Sequence, residues 1–415
     1  MLTPTDGAII TTDTTLAPGV HYLPNGLTID ADGVTLDGRG ALLVGAGEGR
    51  GVAVRGRGAV TIKNLRVHGY DHGIYAEDCA GLTIAECEAR ATAELRANTV
   101  FLDIWRPVER AYGGGVLLSR VVDSFVVGND LQHQQSGLLC YGCARLTVRD
   151  NLASYCSGFG FHFFATSDCL VEANYADCCS RYEPRGGGAG HLGADAAGFL
   201  IVHGSCRNTF RGNYARLGGD GFFLAGLRPD WAHVPCDDNL FEDNDGSHSP
   251  NIAFEATFSS GNVFRRNRAS ACNYGFWLGF SRDTLVEGNE VRASRRAGVA
   301  VENGVGCTLR DNELADGAYG VLLWSRYIAA FAGAVPANDT SRDWLLEGNQ
   351  FGGNGVGVRI AADQDHGVRP LPPLTPRCPR PRAHTLRRNS FRTNRLDIEL
   401  IDAEDPLLEG NDFEG

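Results

Sequence analysis

Residues 288–312 read GNEVRASRRAGVAVENGVGCTLRDN and contain one complete unit of a repeat. The unit opens on the Asn289 turn, reaches a glycine-led apolar strand at Gly298, and closes on the next turn at Asn312. The same order recurs every 22 residues or so along nearly the whole chain. A repeat of this length predicts a solenoid, in which each unit stacks on the next.

The apolar runs of this repeat are short, alternate with period two, and lie in a chain with 54 glycines among 415 residues. These are properties of strands. Helical solenoid units need about 33 residues or more. The shorter unit therefore predicts a parallel β-coil with three short strands and three turns in each rung. The turn asparagines that mark the units are Asn129, Asn151, Asn174, Asn213, Asn244, Asn267, Asn289, Asn312, Asn349, Asn389 and Asn411.

The segment LTIDADGVTLDG, residues 27–38, is typical of an opening rung. With the repeat, it makes the chain resemble the right-handed parallel β-helix superfamily, which includes pectate lyases, polygalacturonases and NosD-like carbohydrate-binding and sugar-hydrolase repeats. The resemblance implies an all-β fold, a single right-handed parallel β-helix with loop insertions on one face, and a carbohydrate substrate. The spacing of strand starts predicts about 13 rungs over residues 46–415, and residues 1–45 are expected to supply an N-terminal cap and the first rung or rungs.

The charge, the length of the apolar runs and the cysteines indicate what the protein binds and where it is located. A net charge of −12 argues against binding to nucleic acid, and no apolar run reaches the roughly 18 residues of a membrane span. Many of the 13 cysteines recur in register with the repeat, and no signal peptide is visible. We therefore expect reduced interior thiols, a cytoplasmic location and no metal or other cofactor. A signal peptide removed from the chain would instead make the protein secreted.

Five insertions interrupt the repeat, and each adjoins a glycine-led strand, so that all of them border one face of the coil. They lie near residues 91–112, 181–197, 226–237, 326–341 and 362–384. Insertions gathered on one face usually mark the binding face of a solenoid. The outward positions of the strands are themselves largely apolar or aromatic. Such a face is covered by the loops, by a second copy of the chain in a homo-oligomer, or by a sugar.

Four carboxylates near the second and third insertions are candidates for acid and base in glycoside hydrolysis, which needs two carboxyl groups across one bond. Glu255 is the predicted general acid, because it lies on a strand among apolar neighbours that would raise its pKa. Asp220, Asp195 and Glu302 are the candidates for its partner. The alternation puts Ile252 level with Phe222 and Phe276 on the neighbouring rungs. It therefore places Glu255 and Glu302 in one outward column, two rungs apart, with Trp277 on the rung between them.

Aromatic, histidine and arginine side chains around this region are predicted to bind the sugar. They are Trp277, Trp231, His162, His203, His233, Arg228, Tyr182 and Trp324. A second charged and aromatic cluster, which includes Trp105, Arg106 and Glu109, lies on the first insertion and is expected to wall the other end of a groove.

A glycoside hydrolase acting on an oligo- or polysaccharide is the first functional hypothesis, and two alternatives stay open. One is a polysaccharide lyase or uronate epimerase. Tyr70-Asp71-His72 vaguely resembles the Asp-Pro-His of mannuronan epimerases but lacks the proline, so no role is carried over from it. The other alternative is a non-catalytic, oligomeric binding module that uses the apolar face as an interface.

The thiol hypothesis can be tested directly. Titration of the denatured, unreduced protein is expected to find most of the 13 cysteines reactive, because in-register cysteines inside a coil act as small apolar fillers. Reduction before titration should add little signal. Several disulfides would contradict the expectation and would indicate secretion.

Overall fold

The computed structural model of the protein describes residues 1–96, 101–185, 189–192, 196–362 and 380–414, with residues 182–185 and 189–192 described by their backbone alone. The described residues are almost entirely strands and turns. They contain one α-helix, Ala329–Ala334, and one short 3-10 helix, Val108–Arg110. Neither described helix has the length and hydrophobicity needed to cross a membrane. The chain divides into two compact units, Met1–Asp220 and Gly221–Gly415.

The first unit is built from three parallel sheets, in which each strand pairs with the corresponding strand of the next rung. The strands of its first sheet are Ala8–Ile10, Leu27–Ile29, Arg50–Arg55, His72–Glu77, Gly114–Ser119, Ser136–Tyr141, Phe159–Phe164 and Ala197–Val202. Those of its second sheet are Thr14–Thr15, Thr35–Asp37, Thr61–Lys63, Thr83–Ala85, Phe125–Val127, Thr147–Arg149, Leu170–Glu172 and Thr209–Arg211. Those of its third sheet are Val20–Tyr22, Leu42–Val44, Arg66–His68 and Glu88–Arg90.

The second unit repeats this arrangement. Its first-sheet strands are Asp220–Ala225, Ile252–Thr257, Tyr274–Trp277, Ala297–Glu302, Tyr319–Ser325, Val356–Ala362 and Leu396–Ile401. Its second-sheet strands are Leu240–Glu242, Val263–Arg265, Leu285–Glu287, Thr308–Arg310, Leu345–Glu347, Thr385–Arg387 and Leu407–Glu409. Its third-sheet strands are Glu290–Arg292, Glu313–Ala315, Gln350–Gly352, Ser390–Arg392 and Asp412–Phe413.

The parallel β-helix predicted from the sequence is confirmed. Every predicted glycine-led strand corresponds to a first-sheet strand, beginning with Arg50–Arg55. Two further first-sheet strands, Ala8–Ile10 and Leu27–Ile29, lie among the N-terminal residues. They pair with each other in parallel, and Leu27–Ile29 also pairs with the strand that starts at Arg50.

The turn asparagines form buried ladders that join successive rungs. The Asn129 backbone N–H and Nδ2 both donate to Asn151 Oδ1, at 3.0 and 2.9 Å. Asn151 makes the same two bonds to Asn174, and its Nδ2 also donates to the carbonyl of Val126 at 2.9 Å. An equivalent ladder runs through the second unit from Asn244 onward. Each amide therefore satisfies buried backbone groups on two rungs.

Stacked aromatic rings fill the interior and fix the register between rungs. Phe161 stacks on Phe199 at 4.8 Å in the first unit, and Phe254 stacks between Phe222 and Phe276 at 4.8 and 5.1 Å in the second. This pairing corrects the predicted register of the strand Ile252–Thr257. Alternation identified its inward side correctly, but Phe254 lies level with Phe222, two residues away from the predicted position.

Parts of the outward side of the first sheet are covered by the chain itself. In the first unit Val108 and Ala111 of the first insertion pack against a cluster that contains Leu117, Leu139 and Tyr141. In the second unit the outward cluster includes buried Ala300, Leu322 and Trp324. At these positions the apolar face is interior surface.

The cysteines of the described residues are all free thiols. Ten of the twelve are buried, and Cys178 and Cys206 are partly exposed. Cys378 lies outside the described residues. Within the described part of the chain, no three side chains of the His, Cys, Asp and Glu types form a group that could hold a metal ion.

The asparagine ladder predicts a large and specific loss of stability. Asn151→Ala leaves the Asn129 N–H and the Val126 carbonyl buried without their partner, and each such group costs about 1–3 kcal/mol. We expect the free energy of unfolding to fall by about 2 kcal/mol or more in urea denaturation. Asp150→Asn is the matched control, because the neighbouring residue is exposed and asparagine tolerates its left-handed φ of 56°. Equal stability of the two variants would contradict the prediction.

Candidate functional site

A cavity of about 590 Å³ lies in the first unit, on the outward side of the first sheet. Strand residues Arg50, His72 and Tyr75 form its floor, and residues of the first insertion, including Arg106 and Tyr112, form its wall. Its volume is in the range of small-molecule sites.

The strand register determines which side chains meet on the cavity floor. Arg50 is paired with His72, and Ala53 with Tyr75 on the same two strands. Because Ala53 is small, the face of the Tyr75 ring is open, and the Arg50 guanidinium carbon lies 3.5 Å from the ring centroid. This close stacking is a cation–π contact.

Two of the arginines in the cavity have no carboxylate partner within the described residues. They are Arg50, stacked on Tyr75, and Arg106, whose guanidinium carbon lies 4.3 Å from the centroid of the Tyr112 ring. Arg50 is partly buried, and this burial lowers the pKa of its guanidinium. A guanidinium that is stacked on an aromatic ring keeps its N–H edges available for an anion. The pair therefore provides a site for a carboxylate or a similar anionic group.

Glu77 neutralises the other two arginines of the cavity. Its carboxylate accepts a bond of 3.1 Å from Arg55 Nε and one of 2.7 Å from Arg120. The Tyr75 hydroxyl also donates to Glu77, at 3.0 Å. Burial acts to raise the pKa of Glu77, but the bonds from Arg120 and Tyr75 outweigh it and the pKa lies below its usual value. Glu77 is therefore an acceptor, and it holds the phenol in place.

Tyr75 is a proton donor in this environment. Its side chain is buried, and burial raises its pKa; Arg50 opposes the rise and the bond to Glu77 adds to it. The phenol therefore stays protonated beyond its usual range. The ring of Tyr75 stacks on the cation Arg50, and its hydroxyl donates to the anion Glu77.

His72 is a neutral base. Its Nε2 lies 3.1 Å from the backbone carbonyl of Tyr112, and because a carbonyl only accepts, Nε2 carries the proton. Nδ1 then holds a lone pair, and it makes no hydrogen bond to any residue that the structure describes. Burial is the main cause that lowers the pKa of His72. The imidazole is thus in its basic form at neutral pH.

The structure separates two of the predicted catalytic carboxylates. Glu255 is partly exposed and lies level with Phe223 and Trp277, whereas Glu302 is buried and lies level with Trp324. The two glutamates therefore occupy neighbouring columns, and the prediction of one shared column is wrong. The cause is the two-residue register error in the strand Ile252–Thr257.

The other two predicted catalytic residues are Asp220, the last residue of the first unit, and Asp195. Asp220 is buried, and its backbone N–H donates to the carbonyl of Ala196 at 3.0 Å. Asp195 lies outside the described residues. Tyr182 begins a strand that pairs antiparallel with Ala189–Leu192, and its side chain is outside the description.

Several predicted sugar-binding residues have little surface to offer. His162 and Trp324 are 1% and 2% exposed, so neither is reachable in this conformation. His203 stacks on Phe164 at 4.3 Å. Trp277 is partly exposed and packs edge-on against Trp324 at 5.4 Å. By contrast, Arg228, Trp231 and His233 are accessible on the third insertion.

The sequence reasoning put the groove farther along the chain and missed the strand residues of this cavity. Two signals pointed to it. One was the charged and aromatic cluster on the first insertion, since Arg106 and Glu109 line the wall. The other was the segment Tyr70-Asp71-His72, which was given no role, although Asp71 and His72 line the floor.

Comparison with known families identifies the class of fold. The family described as "Right handed beta helix region" matches residues 50–226 and 230–368, more than half of the chain. The chain belongs to the right-handed β-helix family. This confirms the superfamily and the handedness that the resemblance implied. No curated protein matches the chain.

Several solved structures are similar to the chain at low identity. The A-module of the mannuronan C-5 epimerase AlgE6 from Azotobacter vinelandii is 14% identical with a TM-score of 0.49, over 98% of this chain and 91% of that one. The periplasmic alginate epimerase AlgG is 13% identical with a TM-score of 0.40, over 96% and 79%. The Dettilon tailspike protein is 14% identical with a TM-score of 0.48, over 73% and 60%. All three TM-scores are below 0.5, and the fold assignment rests on the family match and the strand pairing.

Proposed function

We propose that the protein acts on an acidic polysaccharide and removes the proton beside a uronate carboxylate in the cavity around Arg50, His72 and Tyr75. One observation carries the proposal: two arginines without carboxylate partners, a neutral imidazole and a protonated phenol line the same cavity. This is the lyase or epimerase alternative of the sequence analysis, located at a different site.

The arginines would bind the uronate carboxylate. Removal of a proton from the adjacent carbon places additional negative charge on that group, so the transition state gains more from nearby cations than the substrate does. Positioned donors of this kind commonly contribute about two to three orders of magnitude in rate. Arg50 is the first candidate, because its guanidinium is partly buried and stacks against Tyr75.

His72 would be the base and Tyr75 the acid. His72 Nδ1 takes the carbon-bound proton, and the electron pair left behind is stabilised through the carboxylate. In elimination this pair forms a carbon–carbon double bond, the glycosidic oxygen leaves, and the Tyr75 hydroxyl gives that oxygen its proton. In epimerisation Tyr75 instead returns a proton to the opposite face of the same carbon. Both outcomes use the same three residues.

Hydrolysis needs a protonated carboxyl group as general acid. Four carboxylates line the cavity, Asp71, Glu77, Glu94 and Glu109, and Glu77 is not suited to that role. Glu77 is held ionised by Arg120 and Arg55. Hydrolysis by Glu255 in the second unit stays a prediction, with Trp277 beside it. The two hypotheses differ in their products.

A panel of alginate, polygalacturonate and neutral glucans, incubated in D2O, distinguishes the reactions. We expect an unsaturated uronate, seen by its ultraviolet absorbance, or deuterium incorporated into the polymer. Arg50→Ala should lower kcat/KM about 100-fold or more, and His72→Ala and Tyr75→Phe about 100- to 10,000-fold. Arg145→Ala is the matched control, since this exposed arginine pairs with Asp123 away from the cavity and should be silent. New reducing ends without unsaturation or deuterium would indicate hydrolysis and contradict the proposal.

The pH profile of kcat/KM follows from the two shifted groups. His72 must be neutral, and because its pKa lies below its usual 6.5, activity should persist at pH 6.5 and fall only as the pH drops further. Tyr75 must be protonated, and because its pKa lies above its usual 10.0, activity should fall only above that pH. Initial rates measured between pH 4 and 11 at constant ionic strength test both the acid and the alkaline limb of the profile. An acid limb centred above 6.5 would exclude His72 as the base.

A further inference from the structure

Trp231 is an exposed tryptophan in the second unit that packing does not explain. Its side chain is 51% exposed, and it lies on the third insertion, between charged residues. The other tryptophans of this unit, Trp277, Trp324 and Trp344, are partly or fully buried. Its exposed indole offers solvent a flat apolar face with a polar N–H at one edge.

An aromatic cluster supports the Trp231 ring from one side. Phe331, from the helix Ala329–Ala334, meets it edge-on at 5.7 Å. Phe331 in turn packs edge-on against Phe258 and Phe280, at 5.1 and 4.9 Å. Phe258 and Phe280 stack on each other at 4.8 Å on successive rungs. The indole is therefore held by contacts that lead back to the β-helix.

The backbone around Trp231 is fixed as a small hairpin. Its N–H donates to the carbonyl of Arg228 at 2.9 Å, and the Arg228 N–H donates to Ala232 at 3.0 Å. An ion pair of 3.1 Å joins Arg228 to Asp230, and His233 Nε2 donates to the carbonyl of Phe258 at 2.8 Å. A backbone held by these bonds loses little conformational freedom when a ligand binds to the ring that it carries.

We propose that Trp231 is a stacking platform for one pyranose ring of a polysaccharide, an accessory binding site in the second unit. The size and surroundings of the ring favour a sugar. A protein interface needs a broad apolar patch, whereas the exposed neighbours of Trp231 along this hairpin include Asp230 and His233, and the partly exposed Arg228 precedes them. A pyranose presents an apolar C–H face to the indole and a rim of hydroxyls to the charged neighbours, which supply both donors and acceptors.

This inference rests on the proposed function for the identity of the polymer, and it adds a second place of contact. The platform would hold a long polysaccharide chain on the protein, and it includes none of the residues that line the cavity. Its removal should therefore weaken retention of polymers and leave turnover of short oligosaccharides unchanged. Loss of the Arg50 guanidinium should do the reverse, affecting turnover far more than retention.

Affinity electrophoresis of the full chain through gels containing alginate, polygalacturonate or hydroxyethylcellulose tests the platform. For at least one polymer we expect Trp231→Ala to weaken retention about tenfold or more, and Trp231→Phe to restore part of it. Tyr155→Ala is the matched control: this residue is 54% exposed and also stacks on a ring, His133, but it lies on a turn of the first unit. Turnover of a short oligouronate is measured for every variant.

The outcomes separate the two hypotheses. Retention that depends on Trp231, with unchanged turnover of the oligouronate, supports the platform. Retention by hydroxyethylcellulose that depends on Trp231, without turnover of any uronate, supports the platform and overturns the proposed function. Retention that Trp231→Ala leaves intact, or equal losses in Trp231→Ala and Tyr155→Ala, overturns the platform. The same holds if the wild-type protein is retained by none of the polymers.

Discussion

A buried amide that bonds in two directions is the constraint on which both units depend. Asn151 accepts from the rung of Asn129 and donates to that of Asn174. A carboxylate has no N–H to donate, and an apolar side chain has neither donor nor acceptor. Few residues other than asparagine can therefore occupy this turn position. The same bonds link Asn174 to Asn213 across 39 residues. Insertions are therefore tolerated between the asparagines, while the turns themselves stay in place.

The fold could be predicted from the sequence because its determinants are local. Turn asparagines, strand alternation and glycine-led strands each lie within a few residues of one another. The register between strands depends less on local sequence. Alternation repeats every two residues, so it identifies the face to which a side chain points but not the residue that it pairs with on the next strand. In the strand Ile252–Thr257 the level is set by Phe254 stacking between rings that belong to other rungs. That contact is tertiary, and the predicted position was two residues away.

The candidate cavity was harder to predict for a related reason. Its floor is regular, with Arg50 and His72 paired on adjacent strands, but its wall forms only where the first insertion folds back over the sheet. The sequence shows that Arg106 is charged and that Tyr75 alternates outward. It does not show that Glu77 neutralises Arg55 and Arg120, which leaves Arg50 and Arg106 as the arginines without a carboxylate partner in the described cavity. The proposed reaction depends on this difference in ion pairing between the four arginines of the cavity.

An acidic protein can still bind an acidic polymer, because the two charge effects act over different distances. The net charge of −12 repels an approaching polyanion, but salt screens this repulsion beyond about 8 Å at physiological ionic strength. Inside the cavity a bound carboxylate would lie beside Arg50, which is partly buried, and there the attraction would be less screened than in bulk water. The overall charge would therefore affect mainly the rate of encounter. The affinity for the polymer would depend mainly on Arg50 and Arg106, the arginines of the cavity that form no ion pair with a described carboxylate.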